Sequence, residues 1–451
     1  MRHLERYKFL NGEDIMRHST RKVRRGVDPA NSTRHGRGRL VAVTMLAVGT
    51  FLLAGCSSAG TSAADHKTVL TVYGWKGGDA EPANVKEINA AFEKANPDIT
   101  LKYSFIPSAA YPQRVQSELL AGNAADVVMT DSAKVQDWGS SGYLENLSAQ
   151  PWVSGVRKEI GPFIESKGKT YAMPMEIIGI SLFANNTLLQ KAGVTGTPAT
   201  WPEFLTDLQK VKDAGITPLS LPNKGGWTGD AVSNAIAATL VYSNHPTFDA
   251  DFVKGKASFS TWKSSLQQLM DLQSKGFVDY KSELGVDEWS TGISDFQAGK
   301  SAFYVQGAWN QSAFTKAGLD DSFIPWPATD KDNSKANLFV GTMLSVNAKS
   351  KVKTAAEKYV SFWSENKNAS LYLQAESAVS PFTKGESPSG AATKTFVAAV
   401  NDGRYRILPS NTWLSAAGET TLQQQVQALW LGQQSIDQTV KNLDEKLKLA
   451  K

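Results

Sequence analysis

Few side chains in this 451-residue sequence could carry covalent chemistry. A single cysteine, Cys56, rules out an internal disulfide or a cysteine-rich zinc site. Of five histidines, His3, His18 and His35 lie in the first 55 residues, which leaves only His66 and His245. Two imidazoles do not make the usual ligand set, so no metal is expected. The glycine-rich phosphate loops and the GxSxG nucleophile turn are absent, and no cofactor is expected. Aspartate and glutamate total 43, so carboxylate-pair hydrolysis stays open, although no spacing singles out a pair. Tryptophan is the residue to follow: there are 12, all beyond position 74. Their rings supply large contact area at low entropy cost, which suits recognition rather than bond-breaking.

Cys56 closes the run Leu53-Ala54-Gly55-Cys56, which ends an uncharged stretch, Leu40 to Gly55, behind a strongly basic leader. A cationic segment, an apolar segment and small residues read as an export signal. The last four residues resemble the bacterial lipobox, and the resemblance implies cleavage before Cys56 and a diacylglycerol on its sulfur. No thiol would then remain for catalysis. The apolar stretch is about 16 residues, short of the ~20 that span a bilayer. Residues 57–64 are a flexible Ser/Ala/Gly/Thr spacer rather than a basic flank. Met16 offers an alternative start to Met1. The first 55 residues hold 11 of the 48 basic and 4 of the 43 acidic side chains, leaving 37 and 39 and a net charge near −2. The basic balance that would have suggested nucleic acid belongs to the leader, and no nucleic-acid partner is expected.

The remaining 396 or so residues suffice for two domains. They read as strands alternating with helices, an α/β pattern. Thr68–Tyr73 is a strand, stopped by Gly77-Gly78. Glu81 to Asn96 carries Val85, Ile88, Phe92 and Ala95 at helical spacing, and Pro97 ends it. A strand over 99–105, a helix over 111–121 and a buried strand over 126–129 follow. Thr200-Trp201-Pro202-Glu203 is a capping box that opens a helix through Ala214, with Gly215 as its stop. The end is helical, over 419–430 and 435–449.

The order of segments resembles the family 1 extracellular solute-binding proteins of ABC importers, the carbohydrate group that includes maltose-binding protein. The likeness runs over residues 67–451. Ala125-Asp126-Val127-Val128 resembles the family's "PDV" strand, with alanine replacing proline. Gly142-Tyr143-Leu144-Glu145-Asn146-Leu147 resembles "G-x-L-x-x-L", and Lys169-Thr170-Tyr171-Ala172-Met173-Pro174 resembles "K-x-Y-A-x-P". Phe296-Gln297-Ala298-Gly299-Lys300-Ser301-Ala302-Phe303 resembles "F-x-x-G-K-A-A-M", and Gly307-Ala308-Trp309 resembles "G-x-W". Phe339-Val340-Gly341 leads into a strand, and Ala355–Phe362 resembles the helix that follows it. The resemblance implies a two-lobe α/β fold of the periplasmic-binding-protein type II, with ligand held between lobes. Residues 1–55 would be the signal peptide and 56–66 the tether. Lobe 1 would take 67–176 plus 330–377, and lobe 2 would take 177–329 plus 378–451. The crossings would fall near Met175-Glu176, Pro327-Ala328 and Ser377–Val379.

In such a fold, ligands sit outside the carboxyl ends of strands. A sugar needs an aromatic platform for its flat C–H face and carboxylates or amides for its hydroxyls. Trp75 follows the first strand and is a platform or loop packing. Trp309 occupies the family's stacking position. Trp227, in the glycine-rich loop Asn223–Thr228, is a site wall or a cap on the core. Trp413 follows Pro409-Ser410-Asn411, where relatives contact sugar, and Trp289 is a further candidate. Trp138, Trp201, Trp262, Trp363 and Trp430 lie in helices and are read as core. Asp131 is a ligand acceptor or an N-cap, Glu176 a hinge residue or an acceptor, and Tyr111 a cleft or surface residue. Asn310, Asn411 and Asp230 are weaker candidates, and Asp126 is read as structural. The expectation is a monomeric, lipid-anchored sugar-binding subunit of an ABC importer with permease partners, on the outer face of the cell membrane. A polyamine or glycerol phosphate would be the alternative ligand, the latter drawing on Arg404 and Arg406. A secreted glycosidase is the remaining reading.

Overall fold

The computed structural model describes residues 67–76, 81–107, 110–387 and 390–449. The signal peptide, the tether, Cys56 and the Gly77-Gly78 stop lie outside the described residues. The described residues all belong to one compact unit.

Thirteen strands run through this unit: β1 Thr68–Gly74, β2 Ile99–Phe105, β3 Val127–Thr130, β4 Glu165–Ser166, β5 Lys169–Thr170, β6 Met173–Pro174, β7 Ile177–Asn185, β8 Thr217–Ser220, β9 Ser301–Gly307, β10 Asp321–Ile324, β11 Ala336–Val340, β12 Met343–Val346 and β13 Tyr405–Ile407. They make two main sheets. The first has the order β2-β1-β3-β12-β6, with β1 parallel to β2 and β3 and with β12 antiparallel to β3 and β6. The second has the order β13-β11-β7-β9-β8, with β10 antiparallel to β7. Helices cover each sheet, giving a two-lobe α/β fold. β1 alternates, burying Leu70 and Val72 while Val69 faces out, as a strand with one covered face should. β7 is buried along all nine residues because it is central in its sheet and helices pack on it.

The local signals in the sequence act as their chemistry requires. The expected helix over 81–96 begins at Val85, since Asn84 is held left-handed at φ 55°, and it buries Val85, Ile88 and Phe92. At Thr200 the hydroxyl accepts from the Glu203 N–H while the Glu203 carboxylate accepts from the Thr200 N–H, which closes the capping box. Gly215 takes φ 74°, the left-handed stop. Asp126 ties three segments by accepting from Thr71 N–H, the Thr71 hydroxyl and the Ser350 hydroxyl.

One of the expected crossings moves. The chain leaves the first sheet after β6 and enters the second at β7, through Met175 and Glu176. It does not return near Pro327-Ala328. β11 pairs antiparallel with β7, with Leu338 opposite Gly179 and Val340 opposite Ile177, so residues 336–340 belong to the second sheet. The return lies at Gly341-Thr342, immediately before β12. At the expected switch, Ser377–Val379, Val379 exchanges two backbone hydrogen bonds with Ile177 at the start of β7. The chain beyond it also touches the first lobe, where Arg157 donates to Ser380 O and the Thr383 N–H to Gly155 O. Further on, the Ala392 carbonyl accepts from the Phe323 N–H in the second lobe.

Candidate functional site

The second lobe builds its wall from three tryptophans that the chain brings from three separate loops. Trp227 opens the helix Trp227–Leu240, Trp289 precedes the helix Thr291–Gln297, and Trp309 follows β9. Ring centroids of Trp227 lie 4.8 Å from Trp289 and 6.0 Å from Trp309, and Trp289 and Trp309 are near-parallel at 6.4 Å. Trp309 also meets Phe339 edge-on at 6.0 Å. Trp227 and Trp309 are half-buried, while Trp289 is 49% exposed. A ring trio left that open has large apolar area to offer a ligand.

Local backbone chemistry fixes the trio. Glu288 is buried, and its carboxylate accepts from the Gly225 N–H at 2.9 Å and the Trp227 N–H at 3.3 Å. That stitches the loop before Trp227 to the loop that carries Trp289. Gly226 has φ 97°, a conformation that favours glycine. A Cβ at Gly307 would lie 2.2 Å from the Trp309 ring, so the Trp309 ring can fold back over the chain only beside a glycine.

On the first lobe, Trp75 follows β1, with its ring 5.6 Å from that of Tyr111. Lys134 Nζ stands 4.3 Å from the Trp75 centroid, a cation–π contact, and ion-pairs with Asp131. Asp131 caps the helix Ser132–Ser140, its Oδ1 accepting from the Lys134 N–H at 2.9 Å. The capping carboxylate itself stays partly exposed.

The lobes meet electrostatically at Glu419, in the first turn of the helix Ala416–Trp430. Burial pushes the Glu419 carboxyl up, and the Asp131 charge from the other lobe adds to it. Asp230, buried in the first turn of the Trp227 helix, is pushed well above the carboxylate range by burial and by Glu419; Asn234 and Arg406 oppose that. Asp131, Glu419 and Asp230 are thus acidic groups close enough to act on one another, with Glu419 between the other two.

Four expected residues lie elsewhere in role. Tyr111 is fully buried and donates its hydroxyl to Met129 O at 2.7 Å, so it is core beneath Trp75 rather than cleft surface. Trp413 is 4% exposed, packed on Phe252, Phe259 and Trp262, and donates Nε1–H to Asp249 at 2.6 Å. It is a core ring. Glu176 is 1% exposed and saturated: Lys76 Nζ donates to both oxygens, and the Thr342 N–H and hydroxyl donate to Oε1. Its acceptors are spent on the hinge, leaving none for a ligand. Asn411 donates to Pro162 O, linking the lobes. Asn310 is buried, with its Nδ2 lacking a partner. Trp138, Trp262, Trp363 and Trp430 are buried, while Trp201 is half-buried. The sequence reading missed Lys134, Glu288, Phe339 and Glu419. Only Lys134 left a local signal, the Asp131/Lys134 spacing of a charged pair on one helix turn. Among the described residues no cluster of three or more His, Cys, Asp or Glu could hold a metal.

A sequence profile described as bacterial extracellular solute-binding protein matches residues 77–370. The chain is 25% identical over 179 residues to the multiple sugar-binding protein of Streptococcus mutans, covering 39% of this chain and 42% of that one. It is 25% identical over 346 residues to the maltodextrin-binding protein MdxE of Bacillus subtilis, covering 74% and 78%. The match to the first of these relatives thus spans less than half its length. A family 1 extracellular solute-binding protein from Bifidobacterium longum subsp. infantis superposes with a TM-score of 0.66 at 23% identity, covering 84% of this chain and 98% of that one.

Proposed function

Since the chain belongs to the bacterial extracellular solute-binding proteins, we propose that its interlobe cleft binds a mono- or oligosaccharide and delivers it to an ABC permease. Its task is binding, without covalent chemistry. The observation that carries the sugar reading is the open trio Trp227, Trp289 and Trp309, together with the acidic groups Asp131 and Glu419, which act on one another from the two lobes. Flat rings take the C–H faces of a pyranose, and the carboxylates accept its hydroxyl hydrogens. The names of the two relatives support the same class. Closure of the lobes on the ligand would be a hinge motion that the ligand stabilises by touching both walls.

The lipobox-like run at Cys56 supports a lipid anchor on the outer membrane face, which would hold a monomer close to its permease. Replacing Cys56 by serine is expected to move the protein from the membrane fraction to the medium; continued membrane retention would count against the anchor. A polyamine is the second reading, favoured by the acidic groups Asp131 and Glu419. Glycerol phosphate loses its proposed partners. Arg406 is buried and donates to Asn234 Oδ1 and the Tyr242 hydroxyl, and Arg404 donates to Ser334 O and Asp402. A thermal-shift screen of sugars, sugar phosphates and polyamines separates these classes, since a ligand that binds only the folded state must raise the midpoint with concentration. A shift with a neutral sugar that Trp309→Ala abolishes supports the sugar cleft. A shift with polyamines alone that Trp309→Ala abolishes would overturn it.

A further inference from the structure

A cavity of ≈ 720 Å³ lies between the C-terminal end of the helix Asn366–Glu376 and the helix Gln311–Lys316. Gln374 and Ser377 line it from one lobe, and Leu319 and Ala392 from the other. Its size falls within the range of small-molecule pockets. Its chemistry is unlike that of the tryptophan cleft. Besides Lys316, Asp320 and Gln374, the lining carries two buried polar groups, Asp321 at the start of β10 and Gln311, both 6% exposed.

These two groups are only half satisfied. Gln311 Nε2 donates to both Asp321 oxygens, at 3.0 and 2.9 Å. An ionised carboxylate offers about four acceptor sites, so Asp321 retains capacity. Gln311 Oε1 is buried with no hydrogen-bond partner among the described residues. The amide has turned its donors to the carboxylate and presents a bare acceptor beside it. Burial and the Asp320 charge push the Asp321 carboxyl up to about 6, and no cation acts on it. It is therefore largely charged at neutral pH, and among the described residues no cation pairs with it, although Lys316 also lines the cavity. Two converging acceptors, one negative, inside a partly apolar cavity ask for a positively charged donor with some hydrocarbon. A metal is a poor fit, because the neighbouring Asp320 is turned to Asn186 Nδ2 and hard cations take six or more oxygens.

We propose that this cavity is a second binding site, for a small organic cation whose protonated nitrogen donates to Asp321 and Gln311. The ammonium or guanidinium nitrogen sits between the carboxylate and Oε1, and its alkyl part lies along Leu319 and Ala392. The site is independent of the sugar cleft, so it stands or falls separately from the function proposed above.

The test uses the full-length chain and spermidine as probe, read by thermal shift at constant ionic strength, with magnesium chloride as the control salt. Spermidine is expected to raise the midpoint saturably, and magnesium is not. Asp321→Asn should weaken the apparent affinity by more than tenfold. Thr315→Trp keeps the test valid if that variant unfolds, because Thr315 is an exposed lining residue whose enlargement fills the cavity without touching the core. It too should lose the response, whereas Trp309→Ala should keep it. No saturable shift, or a shift that survives Thr315→Trp, overturns the proposal. So does a shift lost in Trp309→Ala, which would put the cation in the tryptophan cleft.

Discussion

Lys76→Met should unfold this protein more readily than any exposed charge deletion, because Lys76 ties the crossings together. Its Nζ lies 2.7 and 2.8 Å from the Glu176 oxygens, 3.1 Å from Glu376 and 2.7 Å from the Tyr372 hydroxyl. Glu176 in turn accepts from Thr342, on the second crossing. Side-chain exposures are 12% for Lys76, 1% for Glu176 and 8% for Glu376, so the cluster is almost dry. Burial alone would push the Lys76 ammonium down, but the two carboxylates outweigh it and hold it above its ordinary value. Methionine preserves the stem and removes the charge. Two carboxylates are then left buried without a cation, a loss of about 3–5 kcal/mol. That is a large part of the roughly 5–15 kcal/mol that a domain has in total. Urea unfolding followed by tryptophan fluorescence reads it directly, with Lys263→Met as the control. Lys263 pairs with Asp437 on the surface, where an ion pair adds little. Equal midpoints for Lys76→Met and Lys263→Met would refute the reasoning. So would recovery of full stability in Lys76→Met/Glu376→Gln, since Glu176 would still be unpaired.

Three further outcomes are expected. Trp309→Ala should weaken the cleft ligand by about 2 kcal/mol or more, roughly thirtyfold, as a central aromatic contact does; titration calorimetry checks it, and an unchanged Kd would remove Trp309 from the site. Trp413→Phe should do the opposite, leaving affinity unchanged while costing about 1–3 kcal/mol in urea unfolding, because Asp249 loses its indole donor. The third concerns Glu283, whose carboxyl burial pushes up to about 7, with hydrogen bonds from Leu221 and Ser220 opposing that. A carboxyl held above its unfolded value stabilises the fold below that value, and the gain fades as pH rises through 7. Wild type should therefore lose about 3 kcal/mol through this group between pH 4 and pH 8. Glu283→Gln should remove that slope, and identical pH profiles would contradict it.

Local order was legible in the chain. Alternation in Thr68–Gly74, the Thr200 capping box and the Gly215 stop each involve residues within a few positions of one another, so their physics is complete in the sequence. The same holds for Gly307 beside Trp309, a pair set two residues apart. What stayed hidden is non-local. Trp309 and Trp413 are both rings in loops after strands. Trp413 is core because Phe252, Phe259 and Trp262, some 150 residues earlier, close over it, while Trp289 stays 49% exposed beside Trp227 and Trp309. Residues 336–340 read as an extended run, but their lobe was fixed by pairing with 177–179. Glu176 carries the right chemistry for a ligand, yet the arrival of Lys76 and Thr342 spends it on the hinge. Hence the sequence by itself determined the elements and the inventory of rings and carboxylates. Only the tertiary structure decided which of them face the cleft, because burial and pairing depend on partners that the chain brings from a hundred or more residues away.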